Sequence, residues 1–213
     1  MPKSRQAPAL TLDAILAESI RIIRAQGTAG LTMRRVAADL GVTPMAVYYY
    51  VTDKDELMRL VVERVLGALK LLQLDPDEDW RETLRNYMID IWEYLRRYPG
   101  LSSYVINEPA LGVTPERLEA GISFFEGAGF TAAESRLAWS FAMTYIHGRI
   151  SVDAHLGRKP AAPLLGRTKA RDYVAFGVDA VISGLEAMCD GRPMSEQLVP
   201  LAATASKLHS TEA

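Results

Sequence analysis

The chain has 213 residues, 49% hydrophobic and 23% charged, with a net charge of −2, values ordinary for a soluble globular protein with one large or two small domains. No apolar run reaches the length of a membrane span, and the opening MPKSRQAPAL lacks the hydrophobic region of a secretory signal. The single Cys189 cannot form an internal disulfide and no Cys/His cluster has metal-ligand spacing, so a cytoplasmic protein with no cofactor and no metal is expected.

The first ten residues read as an arm whose Lys3 and Arg5 either touch a phosphate backbone or are merely solvated. Thr11 then caps a helix to about Gln26, striped by Leu12, Ile15, Ile22 and Ile23, with Gly27 and Gly30 at its end. From Thr32, residues Val36, Ala37 and Leu40 repeat at helical spacing, and Gly41 sits where a helix C-terminus takes a left-handed backbone. Val42 reads as a buried plug, Thr43 as an N-cap and Pro44 as the first position of a second short helix through Tyr50. Two short helices on a glycine turn make a helix-turn-helix. Tyr48, Tyr49 and Tyr50 span too much of a helix to share one face, so Tyr48 or Tyr50 is expected in the core.

Asp53, with Glu56 three residues on, forms a capping box that opens a longer helix carrying Leu57, Leu60, Val61, Val65, Leu66 and Leu69, broken near Asp75–Pro76. Another helix starts near Asp79, with Trp80, Leu84, Tyr87, Met88, Ile91 and Leu95 at helical spacing up to Pro99–Gly100. A short apolar piece, Leu101 to Asn107, leads into a loop around Pro109–Gly112. Thr114-Pro115 opens a helix to Gly127 or Gly129, and Thr131 with Glu134 is a second capping box, starting a helix to about His155. The middle of that helix, LAWSFAMTYIHGRI, is apolar on nearly every face and needs burial by its own subunit and by something else. A Pro/Gly-rich loop at 157–168 precedes a last helix from about Lys169 to Met188, in which Gly177 and Gly184 lie seven apart; the tail after Gly191-Arg192-Pro193 reads as irregular. With no alternating β-branched run, the expected fold class is all-α, about nine helices, as a three-helix head and a larger helical body. Residues 1–59 carry eight Lys/Arg against six Asp/Glu, a net +2 that leaves −4 for the rest; the sign suits a DNA-binding head, but the imbalance is small.

The run LTMRRVAADLGVTPMAVYYYVTDKDEL after a first helix and before a long helical body resembles the TetR family of bacterial transcriptional regulators (TetR/AcrR-like). The resemblance rests on Leu31-Thr32, Val36-Ala37, Leu40-Gly41-Val42, Val47-Tyr48 and Lys54-Asp55-Glu56-Leu57, and it covers the first quarter to third of the chain. It implies a DNA-binding domain at 1–58 and a ligand-binding and dimerisation domain at 59–213. The helix Thr43–Tyr50 would enter the major groove: Thr43 and Pro44 at its start, Met45 and Ala46 against thymine methyls, Tyr48 and Tyr49 on phosphates. Lys54 matches the family's phosphate-clamping lysine, and Arg34 a position from which the groove is sometimes reached. That helix contains no Arg, Lys, Gln or Asn, which shifts the reading of sequence to Arg34, Thr43 and DNA shape.

The same resemblance implies a homodimer built on a four-helix bundle from the last two helices, with Gly148, Gly177 and Gly184 permitting close contact, and an effector pocket. Candidate pocket residues on expected inward faces are Tyr87, Trp92, Tyr104, Asn107, Phe125, Phe141, Tyr145 and His147, a lining for a small, largely apolar or aromatic ligand. His147 and His155 lack acidic neighbours at ligating positions, so no metal site is expected. The partners this resemblance implies are double-stranded operator DNA, a second copy of the chain and an unknown small-molecule effector, with no membrane, and it implies a cytoplasmic, nucleoid-associated bacterial protein. The function implied is repression relieved by ligand. The competing readings are an all-α enzyme, against which no Ser/His/Asp, Cys/His or Gly-rich phosphate motif is present, and a ligand-insensitive or activating DNA-binding protein.

Overall fold

The computed structural model describes residues 10–75, 77–107, 114–156 and 170–189. Lys3, Arg5, the loops at 109–112 and 157–168, the side chain of Cys189 and the tail after Gly191 lie outside the described residues. The described chain forms nine α-helices and no strand: α1 (Leu12–Gln26), α2 (Met33–Asp39), α3 (Pro44–Tyr48), α4 (Lys54–Gly67), α5 (Trp80–Leu95), α6 (Leu101–Asn107), α7 (Pro115–Gly127), α8 (Ala132–Leu156) and α9 (Ala170–Cys189). A single 3-10 turn, Thr28–Gly30, follows α1. The fold is all-α, as the periodicity predicts. It gathers into two compact units, one of residues 10–70, 91–107, 114 and 147–156, the other of 71–90, 115–146 and 170–189, so that α5 and α8 each contribute to both.

The helix boundaries follow from caps. Thr11 Oγ1 accepts from the Ala14 N–H at 3.1 Å, Thr32 Oγ1 from Arg35 N–H at 3.1 Å, and Asp53 Oδ1 from Glu56 N–H at 2.8 Å, each satisfying a backbone donor that has no partner inside its helix. Thr131 and Glu134 form a reciprocal box: the Thr131 N–H donates to Glu134 Oε2 at 2.9 Å, and Glu134 N–H returns to Thr131 Oγ1 at 3.4 Å. At the start of α4 the box is displaced by one residue. Glu56 Oε2 accepts from the N–H and hydroxyl of Thr52, at 2.6 and 2.7 Å, rather than from the N–H of Asp53. These bonds hold the Glu56 carboxyl below its ordinary pKa.

In the first unit α1 buries Ile15, Leu16, Ile22 and Ile23, α2 buries Met33, Val36 and Ala37, and α4 buries Leu57, Met58, Val61, Val62, Val65 and Leu66. Helix α1 packs on α2 and α4, and α2 on α3. Full burial of such a side chain contributes roughly 1.5–3 kcal/mol. Helix α3 has only five residues and one fully buried side chain, Val47. A helix that short does not stand alone in water, so its caps and α2 hold it.

Three expectations for this region are corrected. Helix α3 ends at Tyr48, not Tyr50, and none of the three tyrosines enters the core: Tyr48 is 44%, Tyr49 86% and Tyr50 36% exposed. Val47 alone fills the inward position, and Tyr49 and Tyr50 fall beyond the helix, where its face no longer dictates their direction. Tyr50 instead donates its hydroxyl to the Leu10 carbonyl at 2.5 Å. Val42 is only half-buried rather than a plug, as is Leu40.

The second unit is centred on rings. Trp80 stands edge-on to Phe130 at 5.4 Å between centroids, and Phe125 lies 5.2 Å from both Phe124 and Phe130. The Phe125–Phe130 contact closes the end of α7, where Phe130 N–H bonds the Phe125 carbonyl at 3.0 Å and Gly129 N–H the Glu126 carbonyl at 3.0 Å, the paired bonds and apolar contact of a Schellman ending. Gly121 lies under the Trp139 ring, where no Cβ fits. Gly177 is likewise covered by the Tyr145 hydroxyl of the same unit, whereas Gly148 and Gly184 have nothing within 4 Å of where a Cβ would stand.

Candidate nucleic-acid interface

The turn between α2 and α3 is closed by its own backbone. Gly41 takes φ 70°, and its N–H bonds the Ala38 carbonyl at 3.1 Å while Val42 N–H bonds the Ala37 carbonyl at 2.9 Å, again a Schellman ending. Thr43, extended, caps α3 with its hydroxyl accepting from Ala46 N–H at 3.4 Å, and Pro44 occupies the first helical position, where a missing N–H costs nothing. The result presents Thr43, Pro44, Met45, Tyr48 and Tyr49 to solvent, with Ala46 half-buried behind them. Met45 is 75% exposed, an unusual position for a thioether that is not covered by its own fold.

Charge pairing separates the cations around this helix. Arg35 and Arg21 both reach Asp39 Oδ2 at 2.8 Å, and Arg21 also pairs with Glu18 at 2.5 Å. The bond from Arg35 is the main reason the Asp39 carboxyl is held below its usual pKa. Arg59 pairs with Glu63 at 2.8 Å, Arg64 with Asp13, and Arg24 hydrogen-bonds Tyr98. Among the described residues of the head, Arg34 and Lys54 are the exposed cations left with no carboxylate or hydrogen-bond partner. They are the two that the motif singles out. What tells Arg34 from Arg35 is Asp39, which lies one turn from Arg35 and on which Arg35 is spent.

A second set of contacts, which the sequence does not signal, ties α1 to the turn between α5 and α6. Arg24 Nη2 donates to the Tyr98 hydroxyl at 2.6 Å, Tyr98 donates to the Tyr94 hydroxyl at 3.3 Å, and Tyr94 donates to the Val65 carbonyl of α4 at 3.2 Å. The Arg24 guanidinium also lies 4.9 Å above the Tyr98 ring. Burial and the bond with Tyr98 push the Tyr94 hydroxyl up to about 12. Thr28 N–H donates to the Pro99 carbonyl at 2.9 Å.

The candidate pocket residues divide between the units. Trp92, Tyr104, Asn107 and His147 belong to the first; Tyr87, Phe125, Phe141 and Tyr145 belong to the second. Trp92 is buried and donates its indole N–H to Asp153 at 2.9 Å, a carboxylate that Arg149 also engages. His147 faces the buried Ser102 at 3.3 Å, and burial lowers its pKa to about 4, so it is neutral at pH 7. Phe125 is part of the aromatic cluster, Tyr87 stacks near Trp139 at 6.4 Å, and Tyr145 covers Gly177. Phe141 and Asn107 are exposed rather than inward, Phe141 at 59%. Between α5 and α9 an open groove is lined by Asp79, Arg81, Arg85, Asn86, Asp179 and Ser183, but Arg81 pairs with Glu186 and Arg85 with Asp179. Among the described residues no group of three or more His, Cys, Asp or Glu is placed to hold a metal, and no helix is long and apolar enough to cross a membrane.

Residues 15–61 match the model of "Bacterial regulatory proteins, tetR family". A repressor of Streptomyces coeruleorubidus, DrrR1, is 33% identical over 134 residues, which are 62% of this chain and only half the length of that relative. BioQ of Mycobacterium smegmatis superposes with a TM-score of 0.69 at 26% identity over 84% of this chain and 99% of that one; BioQ solved with its double-stranded DNA operator gives 0.66 at 25%, with the same coverage. ActR of Streptomyces coelicolor, solved with (S)-DNPA, shares the fold with a TM-score of 0.69 at 20% identity over 85% of this chain and 99% of that one. A helix-turn-helix closed by a Schellman turn and the match at residues 15–61 make the head that of the tetR family of bacterial regulatory proteins, and the described chain shares the helical architecture of a solved member of that family.

Proposed function

We propose that this chain is a homodimeric repressor that holds operator DNA with its head, residues 1–58, and releases it when a small, largely apolar or aromatic ligand enters the body, residues 59–213. The observation that carries the DNA reading is the pair of unspent cations, Arg34 and Lys54, beside a solvent-facing α3. Phosphates dominate the affinity of such heads, and each neutralised phosphate releases counterions. The likeness to DrrR1, a repressor, and to BioQ, solved with its operator, supports the reading.

Two copies would place their α3 helices in successive major grooves about 34–36 Å apart. Exposed apolar side chains on the last two helices, Leu137 and Phe141 on α8 and Phe176 on α9, support a helix-on-helix dimer contact. A ligand that fits only one spacing of the heads shifts the population toward it and weakens DNA binding by linkage. The ring cluster around Trp80, Phe125 and Phe130 within the second unit supports an apolar or aromatic effector.

The test is fluorescence anisotropy with the chain's own upstream promoter across a salt series. Sequence-preferring binding is expected, with Lys54→Ala and Arg34→Ala each weakening it on every duplex and lowering the salt slope by about 1. Binding that ignores sequence and salt would remove the proposal. A promoter–reporter fusion with and without the protein gives the sign of regulation.

A further inference from the structure

We propose that the head selects its operator chiefly through thymine C5-methyl groups, read by Met45 with Pro44 and Ala46 at the start of α3. This inference rests on the DNA-binding reading above and adds what the head recognises.

The exposed face of α3 carries no side chain able to make a two-point hydrogen-bond contact. From Thr43 to Tyr50 there is no Arg, Lys, Asn, Gln, Asp or Glu, the residues whose paired donors and acceptors distinguish base pairs in the major groove. The polar groups present are single hydroxyls: Thr43 accepts from the Ala46 N–H at 3.4 Å and keeps one proton to donate, and Tyr50 donates its proton to the Leu10 carbonyl at 2.5 Å. What α3 offers instead is apolar. Met45 is 75% exposed, and the Pro44 ring beside it is exposed. An uncharged, apolar face flanked by two unpaired cations is complementary to a groove whose rims are phosphates and whose floor carries one apolar group, the thymine methyl. The cations fix position and the thioether supplies choice. Met is suited to this because its unbranched, polarizable chain adapts to the methyl it meets.

The experiment uses the full chain. A random duplex library is selected with the wild-type protein, and each thymine of the selected site is then replaced by uracil, which removes the methyl and keeps every hydrogen bond. Uracil at the contacted positions is expected to weaken binding about fourfold per methyl, the worth of one buried methyl-sized group. Met45→Ala, at a position too exposed to matter for folding, should lose the larger part of the thymine-to-uracil ratio, the remainder being the share of Pro44 and Ala46. Arg34→Ala and Lys54→Ala should weaken both duplexes with the thymine-to-uracil ratio unchanged. Uracil duplexes that bind as tightly as thymine duplexes, a ratio that Met45→Ala leaves undiminished, or an Arg34→Ala variant that selects a different sequence would each overturn the inference while leaving the DNA-binding reading intact. A selection that enriches no sequence at all would overturn both.

Discussion

Two tight turns of the first unit look alike and exist for different reasons. The α2–α3 turn places Gly41 at φ 70° and the α5–α6 turn places Gly100 at φ 89°, both in the left-handed region that side chains avoid. Around Gly41 every bond is local, to Ala37 and Ala38, and nothing lies within 4 Å of where a Cβ would stand. Around Gly100 the partners come from far along the chain. Thr28 donates its N–H to the Pro99 carbonyl and sets its hydroxyl where a Gly100 Cβ would go, Arg24 holds Tyr98, and His147 faces Ser102 two residues on. The first turn is a property of a short peptide. The second is a docking surface for α1 and its 3-10 turn, and its glycine is there for closeness as much as for angle.

Substitutions separate the two. Gly100→Ala combines left-handed strain with a collision against Thr28, so a loss of about 3 kcal/mol is expected in urea unfolding. Adding Thr28→Ala should recover the steric share and leave the strain; a double variant no more stable than Gly100→Ala would show that Thr28 is not the obstacle. Acid acts on the same turn through His147. Burial keeps its folded pKa at about 4 against 6.5 for the free side chain, so below pH 6.5 the unfolded chain takes up a proton that the folded one refuses. Stability present at pH 7 therefore falls as pH drops, by about 2 kcal/mol at pH 5, and levels off below the folded value. A His147→Gln variant whose stability declines just as steeply from pH 7 to pH 5 would assign the acid sensitivity elsewhere.

Gly41→Ala should cost less, about 1.5 kcal/mol from backbone strain alone, and Gly41→Asn less again, because Asn tolerates the left-handed region. A cost above that of Gly100→Ala would reverse the comparison. The smallest effect expected is that of Tyr98→Phe, about 1 kcal/mol, since the ring stays under Arg24 while its hydroxyl bonds to Arg24 and Tyr94 are lost. A double-mutant cycle with Arg24→Ala measures that link directly. A coupling of zero would mean that α1 is held to the turn by Thr28 and Pro99 without Arg24.

The sequence by itself determined what short-range physics decides. Thr11, Thr43, Asp53 and Thr131 cap helices where the pattern placed them, Gly41 closes its helix, and caps or apolar spacing located every described helix except α6, read only as a short apolar piece, because a cap or a helical stripe depends on residues within about one turn. Even there, a one-residue displacement of the Glu56 cap and the early end of α3 escaped the pattern. Only the tertiary structure decided which arginines are spent, that all three tyrosines remain outside the core, why Gly100 and Gly177 must lack side chains, and that Phe141 and Asn107 face outward. Arg21, Gly100 and Gly177 depend on neighbours many residues away, Asp39, Thr28 and Tyr145, which no local spacing along the chain encodes; Arg35 is spent locally, on Asp39 one turn on.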